Sequence, residues 1–258
     1  MAQGQTTQPL WEIGIGAGLA SLPDYRGSDR QRSYVVPVPY LVYRGEFLRA
    51  DRDGVRGVLL ENKFFELNLS LGASVPVSSK GNEARRGLPN LRPTVELGPS
   101  LDVNLIKHAG LKLEVNLPLR SAFTVESSPR YIGWTFEPNL HLELANPAGL
   151  PGWNLSLAAG PLFADRKNQA FFYSVSPAQA TATRSAYEAP GGYSGARLSA
   201  SVSKRYEQFW VGAFARVDAL TGARFEDSPL VRRKNNLSAG VAVSWIVGES
   251  SQRVPVKQ

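Results

Sequence analysis

The stretch Leu111-Lys112-Leu113-Glu114-Val115-Asn116-Leu117-Pro118-Leu119-Arg120 decides the fold. Its odd positions are all aliphatic, and its even positions are charged, polar or proline. Successive side chains of a strand point to opposite faces, so one face here is wholly apolar and the other polar. The pattern recurs in both directions. Ile132, Trp134, Phe136, Leu140, Leu142 and Leu144 stand against Thr135, Glu137, Asn139, His141 and Glu143. Val95, Leu97, Leu101, Val103 and Leu105 alternate with Glu96, Ser100, Asp102 and Asn104, and Phe65, Leu67, Leu69 and Leu71 with Glu66, Asn68 and Ser70. Leu237, Ala239, Val241, Val243, Trp245 and Val247 repeat it near the C-terminus. Strands of soluble sheets usually run to about five or six residues, whereas about 9 to 11 tilted residues cross a bilayer. Alternation sustained over that length, apolar toward lipid and polar toward a lumen, is the signature of a transmembrane β-barrel.

The bulk composition hides this. The chain has 258 residues, 29 Lys+Arg against 22 Asp+Glu, 24 Gly, 18 Pro and no Cys. Its mean hydropathy of −0.20 looks soluble, but it averages two opposite faces of each strand. Absent cysteine excludes disulfide frameworks and thiolate chemistry. Abundant glycine and proline exclude a helical bundle. The longest uncharged run, 144–164, is broken by Pro147, Gly149, Pro151, Gly152, Gly160 and Pro161, so no helical span is expected. The leader lacks the basic and apolar regions of a signal peptide. Its polar start suits a mature exported chain whose signal was replaced by an initiator Met; a cytosolic protein is the alternative. With no internal repeat and no linker, residues 10–247 read as one barrel between a periplasmic leader, 1–9, and a polar periplasmic tail, 248–258.

Strands are expected near 10–20, 34–44, 46–51, 55–61, 64–75, 92–106, 110–123, 131–145, 153–164, 193–204, 208–218 and 235–247. That makes an antiparallel up-and-down barrel of about twelve strands. Dropping the brief hairpin 46–61 would leave ten, and merging it would give eleven, which breaks the even count of such barrels. Connections alternate between short ones and long ones at 21–33, 76–91, 124–130, 165–192 and 219–234, with the tight turn at Arg52-Asp53-Gly54 as the exception. Short turns on the periplasmic side and long loops outside are the pattern of outer-membrane barrels. Trp11, Tyr40, Tyr43, Trp134, Trp153, Phe209, Trp210 and Trp245 lie near strand ends, where aromatic girdles anchor a rim.

Several motifs resemble the MipA/OmpV family of outer-membrane proteins, the MltA-interacting proteins. They are Gly14-Ile15-Gly16-Ala17-Gly18 followed by Pro23 to Asp29, Val36-Pro37-Val38-Pro39-Tyr40, and Pro93 to Pro99. Further on come Phe171 to Ala180 with Tyr187 and Gly191-Gly192, then Asp227-Ser228-Pro229-Leu230-Val231. The order covers nearly the whole chain. Ser174 stands where the family usually has Gly, which alters any positive-φ turn there. The chain also continues past the last strand instead of ending on an aromatic residue. The resemblance implies a non-enzymatic scaffold that links a murein lytic transglycosylase and a penicillin-binding protein, or a role in envelope stress. Short periplasmic turns leave only the segment 145–152, the termini and the rim for such docking. A narrow channel for small solutes is the alternative.

The glycine run lacks the following helix of a dinucleotide fingerprint, so it reads as a small-residue lumen stripe. Only His108 and His141 are present; neither has metal-ligand spacing, and no nucleophile is placed beside either by the sequence. Neither catalysis, a metal nor a cofactor is expected. The inward set is the candidate site: Glu12, Glu66, Glu96, Asp102, Lys112, Glu114, Arg120, Glu137, His141 and Glu143, with Arg56 and Arg216. These groups either neutralise one another or line a narrow pore. The formal charge of +7 concentrates in loops. On an outer rim, Arg85, Arg86, Arg232 and Arg233 would meet lipopolysaccharide phosphates, not nucleic acid.

Overall fold

The computed structural model describes residues 7–51 and 54–255. In chain order its strands are β1 (Thr7–Pro9), β2 (Trp11–Pro23), β3 (Gln31–Pro37), β4 (Tyr40–Arg44), β5 (Leu48–Asp51), β6 (Gly54–Glu61), β7 (Phe65–Ser74) and β8 (Thr94–His108). There follow β9 (Leu111–Thr124), β10 (Tyr131–Phe136), β11 (Asn139–Ala145), β12 (Trp153–Ala164), helix α1 (Arg166–Tyr173), β13 (Gly192–Arg205), β14 (Phe209–Ala219), β15 (Asn235–Glu249) and β16 (Arg253–Pro255). Strands β2 to β15 pair antiparallel with their neighbours, and β15 returns to β2, closing the sheet. Since β3 and β4 are one interrupted strand, and β10 and β11 another, the closed barrel has twelve strands, as the alternation predicts. The hairpin 46–61 is present as β5 and β6. The expected turn at Arg52-Asp53 lies outside the described residues, as do 1–6 of the leader and 256–258 of the tail. Described parts of that leader and tail pair with each other as β1 and β16.

Both interruptions fall at proline, which supplies no ladder donor. One is Val38-Pro39. The other is Glu137-Pro138, where the flanking register sets Pro138 opposite Pro161 of β12, so neither side can donate. The barrel is inside-out relative to a soluble domain. Ile15 is 70% and Val35 78% exposed on the outer face, while Glu12 on the inner face is 2% exposed. On that inner face a Cβ at Gly16 would sit 2.0 Å from the Val243 carbonyl oxygen. The glycine stripe is therefore where β2 and β15 cross too closely for side chains. No helix among the described residues is long and apolar enough to cross a membrane.

The hydrophobic core lies at one end of the barrel. Tyr25, Val77, Leu88, Leu91, Tyr173, Val175, Ala189, Leu220, Ala223, Phe225 and Leu230 form a single buried cluster. They come from the four long segments 24–30, 75–93, 165–191 and 220–234, which pack together as a cap over the long-loop end.

Candidate functional site

All ten inward residues expected from the alternation lie on the inner face, and the structure gathers them into four groups. At the short-turn end, Glu12 accepts hydrogen bonds from Arg44 (2.8 Å), Arg205 (2.8 Å) and the Tyr40 hydroxyl (3.3 Å). Beside it, Glu66 binds Arg49 (3.1 Å) and Arg56 (3.0 Å), and Asn68 bridges Glu66 and Asp102. A third group joins β9, β11 and β12: Lys112 lies 2.7 Å from Glu114, which lies 3.2 Å from His141 Nδ1, and Glu143 lies 4.0 Å from that nitrogen. The fourth lies beneath the cap. Glu137 faces Arg120 (3.5 Å) and Arg197 (3.4 Å), and Glu96 accepts from Thr135 at 3.2 Å.

The sequence reading missed the centre of that fourth group. Asp218 is fully buried and is met by Arg197 (2.9 Å), Arg26 (3.1 Å) and Arg216 (3.2 Å). The Arg197 contact is a directed hydrogen bond; the other two are ion pairs off the hydrogen-bonding axis. Arg26 belongs to the cap, so Asp218 ties cap to wall. Two further contacts repeat the tie: Asn236 of β15 donates to the Ser28 carbonyl (2.8 Å) and accepts from Gly27 N–H; within the cap, Tyr173 donates to the Arg26 carbonyl (3.0 Å). Asp218 stands two residues after Arg216 and so shares its face, a signal the inward set left unused, and its other partners come from elements remote in sequence.

Within the cap, Tyr173 stacks on Phe225 with ring centroids 3.7 Å apart, and Tyr25 donates to the Leu230 carbonyl at 2.7 Å. Burial pushes the Tyr173 phenol up to about 12. Arg85 does not stand on the rim with Arg86, Arg232 and Arg233, which are exposed. It is 4% exposed, donates to the Phe172 and Pro89 carbonyls at 3.1 Å each, and lies over the Tyr25 ring. Burial lowers its pKa. Carbonyls left over by irregular loops need a donor, and a fork of N–H groups reaches several at once. Tyr40 and Trp210 are also displaced from the expected girdle: they contact each other inside the lumen, where Tyr40 meets Glu12. Ser174 is extended (φ −81°) and ends α1, so no left-handed turn is needed there.

Ser156 Oγ lies 2.7 Å from His141 Nε2, so Ser156, His141 and Glu114 form a hydrogen-bonded chain no sequence signal announced. Serine hydrolysis also needs donors for an oxyanion. Here Ser156 sits mid-strand, paired with Glu143 and Ser201, and its surrounding amides belong to the ladder. The donor atoms of Glu114, His141 and Glu143 lie within 4.8 Å of one another. Lys112 already supplies a cation to that cluster. Each of these inner charges has opposite charges or hydrogen bonds close by, as desolvated groups require.

A closed barrel with an apolar outer wall and a charged, internally paired lumen defines a β-barrel of outer-membrane type. The chain belongs to the MipA family: the family model described as MltA-interacting protein MipA matches residues 15–247. No curated protein sequence matches it. Among solved structures it is similar to an outer membrane channel from Pseudomonas putida F1, at 10% identity and TM-score 0.50, covering 95% of this chain and 99% of that one. A bacterial polysaccharide outer membrane secretin aligns at 10% identity and TM-score 0.45, over 93% and 99%. The outer membrane phospholipase of Salmonella typhi aligns at 11% identity and TM-score 0.36, over 95% and 94%. At these identities the likeness is one of fold.

Proposed function

We propose that this protein sits in the bacterial outer membrane as a non-enzymatic binding or scaffold protein, with the capped end outward and the short turns in the periplasm. The observation that carries the reading is the cap: four loops build a common hydrophobic core over the mouth and are tied to the wall through Asp218. A free conduit has no use for such a closure. The partner suggested by the family's name is the murein lytic transglycosylase MltA. It would approach the short-turn end, where Phe47 and Phe64 are 57% and 62% exposed and the β1–β16 ribbon lies. At the other end, Arg86, Arg232 and Arg233 are available to lipopolysaccharide phosphates.

The second reading is a narrow channel. Phe214 supports it: its ring lies on the inner face over Gly240 and is 40% exposed, so side chains do not fill the lumen at that level. Planar-bilayer recording separates the two. The scaffold reading expects silence together with retention of a purified murein lytic transglycosylase on immobilised barrel. Steady unitary conductance without retention would replace it with the channel.

A further inference from the structure

Outside the lumen, an open cleft of about 500 Å³ lies beside α1 at the capped end, lined by Arg130, Tyr131, Ile132, Lys167 and Phe171. The sequence folds this way because β10 starts with a bulge at 131–133, and Gly133 (φ 107°) lets the α1 N-cap, Asp165, come against the strand. A Cβ at Gly133 would lie 2.0 Å from an Asp165 carboxylate oxygen.

The cleft joins two chemistries. Its upper edge is cationic: Arg130 and Lys167 are exposed, and the Lys167 ammonium lies 4.7 Å from the Tyr131 ring centroid. Among the described residues Arg130 pairs with Glu126 at 2.9 Å, which Arg92 also approaches at 3.8 Å. Next to Lys167, Arg166 pairs with Glu188. With the α1 N-cap Asp165 counted, Arg92, Arg130, Arg166 and Lys167 stand against Glu126, Asp165 and Glu188, so positive charge exceeds negative charge by one around the opening. Both Arg166 and Lys167 occupy the first turn of α1, whose N-cap, Asp165, accepts from the Asn168 N–H at 2.8 Å. Below this edge the outer wall is aromatic. Tyr131 packs on Phe123 (5.6 Å between centroids), and Phe163 contacts both Phe136 (6.3 Å) and Tyr193 (5.8 Å). Tyr131 and Trp134 are about two-fifths exposed on that face.

A cationic edge directly above an exposed aromatic wall matches a ligand that carries phosphate at one end and acyl chains at the other. We propose that the cleft binds the phosphorylated headgroup of lipid A, the acylated anchor of lipopolysaccharide. Arg130 and Lys167 engage a phosphate, and an acyl chain descends along Tyr131 and its aromatic neighbours. This rests on the outer-membrane reading, since that lipid occupies the outer leaflet the capped end would face. Arg contributes a fork suited to phosphate and Lys a point charge, while the rings supply apolar area at the headgroup level.

Native mass spectrometry of the full-length barrel with purified lipid A tests it, alongside lipid A stripped of phosphate. Wild type is expected to hold the phosphorylated form on the order of tenfold more tightly, as two phosphate contacts imply. Arg130→Gln/Lys167→Gln loses that preference, whereas Lys63→Gln/Lys107→Gln, at the opposite end, keeps it. Heat-modifiable migration confirms that each variant is a folded barrel. A folded Arg130→Gln/Lys167→Gln protein that keeps the preference overturns the site, as does equal loss in the Lys63/Lys107 variant. Failure of the wild-type barrel to insert into lipid vesicles would instead strike the outer-membrane reading on which the site depends.

Discussion

Asp218→Asn isolates the link between cap and wall. The substitution keeps the shape and the strand register with Arg197 and Asn236 but removes the carboxylate on which three guanidinium groups converge at 2.9, 3.1 and 3.2 Å. Glu137 still faces Arg197 at 3.4 Å, so that cation keeps a partner. Arg26 and Arg216 are left against each other in a site where Asp218 itself is 0% exposed. Removing one partner from a buried ionic cluster costs about 3 to 5 kcal/mol. If that falls on the cap, its opening equilibrium rises on the order of a hundredfold to several thousandfold. Hydrogen exchange of the barrel in nanodiscs is the assay. Amides of α1, such as Gln169 and Ser174, should lose protection by that factor, while β7 to β9 stay unchanged, because local opening is resolved segment by segment. Adding Arg216→Gln removes one stranded cation and should restore part of the protection. Unchanged α1 protection, or a uniform loss across all strands, would refute the idea that Asp218 anchors the cap.

Three other outcomes are expected. Phe225→Ala removes a fully buried ring stacked on Tyr173 and should destabilise the cap by about 3 to 5 kcal/mol; limited proteolysis should then cut within 165–191 while the wall stays resistant. The Ser156–His141–Glu114 chain should not react as a nucleophile, so a fluorophosphonate probe should leave the protein unlabelled; labelling abolished by Ser156→Ala would reverse the non-enzymatic reading. Tyr173 has its pKa raised by burial to about 12 from an ordinary value near 10. Both states are neutral below pH 10, and the unfolded cap ionises first, so the stability Tyr173 contributes is present below pH 10 and lost between pH 10 and 12, by roughly 2 to 3 kcal/mol. Tyrosinate absorbance, followed alongside α1 exchange, checks the midpoint and the order of events.

The barrel was legible because its cause is local. Leu111 to Leu119 carries a period of two whatever its neighbours do, and Pro39 and Pro138 sit where the ladder breaks. The lumen list was legible for the same reason, since inward direction follows from parity. Partnership was not. Glu12 meets Arg205 across 193 residues, and Ser156 reaches His141 only because β11 and β12 pair in one particular register. Arg85 shows the limit most clearly. By composition it equals Arg86, yet one is buried among loop carbonyls and the other exposed, a difference decided by packing among four loops. Those loops, rich in Gly, Pro and Ser, carry Tyr25, Phe225 and Leu230 singly, with no periodicity to reveal a core.

The cap also sets an order of assembly. Tyr25 and Leu230, which meet inside it, are 205 residues apart, and its other segments come from strands spread between them. Contacts of such separation form late, after loop-closure entropy has been met elsewhere. The four segments are brought together only when β15 has zipped onto β2, so a half-closed barrel would present aromatic loops with nothing to cover them. The packed cap is thus a certificate of completion: protease resistance at 165–191 would report that the last seam has closed, and its absence would mark a chain still waiting on its assembly machinery.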